Sequence, residues 1–101
     1  MRSWYVEEWR FTITVLKVGQ HNRAEACRLG FEPEDRFISG YECPANFCPK
    51  CMMMVYPLMT AVRSGGDLRE LGGDTACSME FPCPDGPVHF RLVAEKMDTA
   101  G

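Results

Sequence analysis

The chain has 101 residues, 46% of them hydrophobic and 25% charged, and carries a formal net charge of −3. That is enough for one domain with one core, and its composition is not that of a disordered tail. The acidic balance and the scattered Lys and Arg residues argue against a nucleic-acid partner.

The N-terminal residues 1–8 lack the apolar stretch of an export signal and include Glu7 and Glu8. The longest apolar run, residues 51–59, is interrupted by Pro57 and is too short to span a bilayer. A cytoplasmic chain without a membrane segment is the expectation, and the six cysteines are read as reduced thiols. The alternative, three disulfides in a secreted scaffold, fits neither the missing export signal nor the supply of core-forming residues.

Residues 11–18 are rich in β-branched side chains and predict a first strand, with apolar groups on both faces placing it inside a sheet. Asn22, with Glu25 three residues on, predicts the cap of a short helix over 23–29 that stops at Gly30. Residues 33–35 turn the chain into a second strand over 36–41. Pro49 then suits the first turn of a helix reaching about Ser64, ended by Gly65 and Gly66 and kinked at Pro57. Its apolar residues surround the axis, predicting a buried helix or one facing a partner. Residues 74–81 and 88–94 predict a hairpin joined by Cys83-Pro84-Asp85-Gly86, a type I turn with Pro second and Gly fourth. The expected architecture is a single α+β domain over residues 1–101, with about four mainly antiparallel strands packed against one main helix.

Chemistry concentrates between residues 43 and 54. Cys43, Cys48 and Cys51 fall within nine residues, and Met52, Met53 and Met54 follow directly. A helix start favours the thiolate form of cysteine, because unpaired N–H groups gather there. Cys48 and Cys51 have the spacing of two ligands that chelate one ion. Cys43 upstream and Cys83 at the hairpin turn complete a four-thiolate set if the tip folds against the helix start, with Cys77 as the other source. Such a set suits zinc or an iron–sulfur cluster, and the neighbouring methionines add Cu(I). The leading expectation is thus a thiolate metal site of Cys43, Cys48, Cys51 and Cys83.

The second reading is thiol chemistry. Cys48-Pro49-Lys50-Cys51 has the form of a dithiol redox motif, in which Cys48 is the nucleophile or redox thiol of a small enzyme. Asp85 and His89 are the candidate acid/base residues, although Asp85 also suits a turn and His89 the exposed side of an alternating strand. His21, near the predicted helix start, is a weaker candidate of the same kind. Cys27 and Cys77 read as small core residues. A third reading is an accessory subunit, with the methionine-rich surface of residues 52–59 docking a second copy or another protein. Trp4 and Trp9, folded over the helix, would instead cover that surface from within the chain.

The order of motifs also resembles a small family of uncharacterised microbial proteins of about this length. The matching residues are Pro44, Phe47, Cys48, Tyr56, Pro57, Gly65, Gly66, Asp67, Cys83, Asp85, Gly86, Pro87, Val88 and Phe90. The resemblance spans residues 11–95 and implies a stand-alone domain with Cys48 and Cys83 as its thiols of interest. The chain departs from that pattern just after Cys48, in Pro49-Lys50-Cys51-Met52.

Overall fold

The computed structural model describes residues 8–19, 29–40, 43–84, 86 and 88–97. Its elements in chain order are β1 (Trp9–Val18), β2 (Arg36–Ser39), α1 (Pro49–Arg63), a 3-10 turn (Leu68–Leu71), β3 (Ser78–Pro82) and β4 (Val88–Lys96). The strands form one antiparallel sheet in the order β2-β1-β4-β3. The α+β domain expected from the sequence is the fold observed. The predicted helix over 23–29 falls almost wholly outside the described residues, as do Trp4, His21 and Cys27.

β1 is interior, flanked by β2 and β4, and its apolar residues follow one face until a bulge intervenes. Phe11, Ile13 and Val15 point into the core, alternating with Thr12 and Thr14. The register shifts between Val15 and Lys17, leaving Leu16 and Lys17 exposed and returning Val18 to the core. The apolar residues that suggested two buried faces therefore reflect one inserted residue. On β4, Val88, Phe90, Leu92 and Ala94 face the same core.

α1 closes that core with a single stripe. Cys51, Val55, Met59 and Val62 are its buried positions, at the helical spacing of four, four and three. The expected all-round burial is not found: Met53 is 77% exposed, and Met54 and Tyr56 are exposed too. One sheet face covers one stripe of a helix, so the opposite apolar side is left outside. The helix continues unbroken through Pro57. No described helix is long and apolar enough to cross a membrane.

The predicted boundaries shift at both hairpins. β2 ends at Ser39, and β3 begins at Ser78 where a strand from residue 74 was expected. Local hydrogen bonds take residues 74–76 out of the sheet, while the Cys77 carbonyl still accepts the Ala94 N–H of β4 at 2.7 Å. Thr75 and Ser78 form a bridge, and the Ser78 hydroxyl donates to Asp74 Oδ1 at 3.0 Å. Arg91 on β4 donates to Asp74 Oδ2, pinning this turn to the sheet. The expected reversal before β4 is present, with Gly86 N–H donating to the Cys83 carbonyl at 2.9 Å and Gly86 at φ +90°.

Candidate functional site

Pro44 to Phe47 makes the turn that delivers the chain to α1. The Phe47 N–H donates to the Pro44 carbonyl at 3.2 Å, and Asn46 takes a left-handed φ of 64°. Asparagine tolerates that region better than most side chains, which explains its use here. Phe47 is then buried against Phe31, Phe37 and Phe90, with ring centroids 6.1, 5.0 and 5.7 Å away. This aromatic anchor holds the residue immediately before Cys48. The phenylalanines are scattered from residue 31 to residue 90, so their convergence was not readable from spacing.

Cys48 is the N-cap of α1, with extended backbone (φ −72°, ψ 123°), and its side chain makes no capping hydrogen bond. The Cys48 carbonyl accepts the first intrahelical bond, from Met52 N–H at 3.0 Å. Pro49 occupies the first turn, where its missing N–H costs the helix nothing. Cys48 is half-buried against the core, whereas Cys51 is only 2% exposed. Residues three apart at a helix start lie roughly 5–6 Å apart at Cβ. A disulfide requires Cβ atoms about 3.5–4.5 Å apart, so joining this pair means drawing the two Cβ atoms roughly 1–2 Å closer in the first turn. None of the five described cysteines is in a disulfide.

The remaining expected residues are dispersed. Cys43 is exposed, and its thiol donates to the Pro44 carbonyl at 3.6 Å. Cys83 is buried immediately after β3, where its N–H donates to the Val88 carbonyl. Cys77 is half-buried in the turn before β3 and packs against the core. Among the described residues, no three His, Cys, Asp or Glu side chains are grouped to hold a metal ion. The four-thiolate set of Cys43, Cys48, Cys51 and Cys83 is thus not assembled here.

Asp85 lies outside the described residues. His89 is exposed on β4 between buried Val88 and Phe90, opposite Pro82 on β3. Because α1 packs on the Phe90 side of the sheet, His89 projects from the other side and the sheet separates it from Cys48. An acid/base role for His89 toward that thiol has no geometric support. Comparison with protein-family models, curated proteins and solved structures finds no match to this chain.

Proposed function

We propose that the chain is a dithiol protein that carries out thiol–disulfide exchange, with Cys48 as the attacking thiol and Cys51 as the resolving one. The supporting observation is their asymmetry on one helix turn. Cys48 caps α1 with part of its surface open, and Cys51 sits inside the same turn. Half-buried Cys48 keeps part of its residue surface open to a disulfide in solution, and Cys51 follows it three residues on within the same turn.

In this reaction the Cys48 thiolate attacks one sulfur of a substrate disulfide. A mixed disulfide forms, and the other substrate sulfur leaves as thiolate and takes a proton from water. Cys51, giving up its proton to solvent, then attacks the Cys48 sulfur and displaces the second substrate thiolate, which is protonated in turn. Two electrons pass to the substrate, and the Cys48–Cys51 disulfide is restored to dithiol by an external dithiol reductant. Reduced thiols suit the cytoplasmic setting read from the sequence.

The test is equilibration in mixtures of reduced and oxidised dithiothreitol, followed by acid trapping and peptide mass analysis. A two-hydrogen mass loss confined to the peptide holding Cys48 and Cys51 is expected, with Cys48→Ser abolishing turnover of 2-hydroxyethyl disulfide. Full turnover by Cys48→Ser would sink the reading. Elemental analysis of untagged protein, purified without oxygen, separates it from the thiolate metal site: near-stoichiometric zinc, iron or copper lost on Cys48→Ser assigns the pair to a metal.

A further inference from the structure

We infer that the cleft at the start of β2 binds a small zwitterion of the α-amino-acid class with an apolar side chain. The cleft has a volume of about 290 Å³. Ligand pockets usually span about 300–1,000 Å³, so this one suits a small molecule. Leu29, Phe31 and Phe37 form its apolar wall, and Asp35, Arg36 and Asn46 supply its polar side chains. Neither Cys48 nor Cys51 lines it, which separates this site from the thiol chemistry.

The turn into β2 holds the acid in place. Glu32 N–H donates to Asp35 Oδ2 at 2.8 Å, and Asp35 N–H donates to the Glu32 carbonyl at 3.1 Å. The Asp35 carbonyl accepts the Val15 N–H of β1 at 2.8 Å, tying the turn to the sheet. One carboxylate oxygen is thus fixed by the backbone, and Oδ1 remains for a ligand. Arg36 is exposed, and among the described residues no carboxylate pairs with it, its neighbour Asp35 included. Asn46, from the turn before α1, adds an amide that both donates and accepts. Among the described residues, the non-glycine residues with left-handed φ are Glu34 at 76° and Asn46 at 64°. Glu34 directly precedes Asp35, and Asn46 lines the cleft. Backbone strain of this kind concentrates at ligand sites.

Charge and shape define the occupant. A lone anion or a lone cation would meet a like charge here as well as an opposite one. A molecule bearing both charges satisfies both groups, its ammonium on Asp35 and its carboxylate on the Arg36 fork. An α-amino acid carries these two charges on one carbon. The wall selects its side chain: Leu29 is 49% exposed and Phe37 half-buried, so apolar surface beside the charged pair stands open to water. A leucine-like side chain would cover it.

The experiment titrates the full, isotope-labelled chain with L-leucine and follows its amide NMR signals. Three analogues each remove one feature: N-acetyl-L-leucine the ammonium, L-leucinamide the carboxylate, and glycine the side chain. Leucine is expected to bind with a Kd of about 1 mM or tighter and to shift the amides of Gly30, Arg36 and Asn46. Each analogue should bind about tenfold more weakly, the loss of one charge-assisted hydrogen bond or one buried apolar group. Arg36→Gln and Asp35→Asn should each weaken leucine by the same factor. The new amide oxygen in Asp35→Asn can still accept the Glu32 N–H, so the turn is kept. The analogue series uses the wild-type chain and decides the matter even where a variant fails to fold. No shift at about 20 mM leucine, or shifts clustered away from residues 29–46, would overturn the site. Binding of N-acetyl-L-leucine or L-leucinamide as tight as that of leucine would overturn the zwitterion class.

Discussion

Cys48 and Cys51 share the first turn of α1 but not its environment: Cys48 is the half-buried N-cap, and Cys51, three residues on, is 2% exposed. This difference predicts unequal reactivity. Brief iodoacetamide treatment of the reduced native chain should label Cys48 well before Cys51, as read by peptide mass spectrometry. Denaturation should bring the two to comparable labelling. Equal native labelling would show that the first turn opens too readily to keep one thiol in reserve.

Among the described residues Phe90 contacts three other rings, with centroids 6.1 Å from Phe31, 5.7 Å from Phe47 and 5.1 Å from Phe81, and it is 0% exposed. Phe90→Ala should cost about 3–5 kcal/mol in urea unfolding, through lost transfer energy and an unfilled cavity. Phe90→Leu should cost less. Because Phe47 precedes Cys48, Phe90→Ala should also speed native labelling of Cys51.

Gly73 fits where no side chain can. A Cβ there would stand 2.6 Å from the Ser78 carbonyl oxygen and 2.8 Å from that of Leu68. Both are backbone atoms, and the Leu68 carbonyl already accepts the Gly73 N–H at 2.8 Å. Gly73→Ala should therefore destabilise by about 1–3 kcal/mol, the usual range for overpacking. An unchanged urea midpoint would mean that this loop relaxes freely.

The Arg91 guanidinium, and after it the Ser78 hydroxyl, hold the Asp74 carboxyl below its ordinary value of 3.8. The Arg69 guanidinium and backbone N–H do the same for Asp67. A carboxyl depressed in the folded chain contributes its stability above the unfolded value and loses it as pH falls through the folded value. Stability should thus decline on acidification below about pH 4, and Asp74→Asn should flatten that decline. Urea midpoints measured across this range decide it: an acid limb unchanged in Asp74→Asn would show that the contact does not survive in solution. Asp74 is solvent-exposed and Asp67 partly so, and the slope is the quantity to compare.

Pro57 interrupts the hydrogen bonding of α1 on its exposed side. Replacing it with Ala restores a donor for the Met53 carbonyl and removes a ring from a helix interior. Pro57→Ala should stabilise the chain by about 1–3 kcal/mol, the intrinsic helix gain less the added freedom of the unfolded chain.

The local elements are legible in the chain because their signals are local. The β-branched run made β1, Pro49 and the paired glycines at 65 and 66 bracketed α1, and Pro84 and Gly86 marked the last reversal. The Cys48–Cys51 spacing likewise placed two thiols on one turn before any tertiary contact is considered. Whatever depends on neighbours distant in the chain emerges only from packing. The bulge at Leu16 set which face of β1 is buried, and Asp74 left the strand because Arg91, seventeen residues away, holds it. The sheet put His89 on the side opposite Cys48, and one packed stripe of α1 left Met53 outside. Residue spacing fixes which side chains share a turn or a strand face, whereas packing decides which of those faces has a partner.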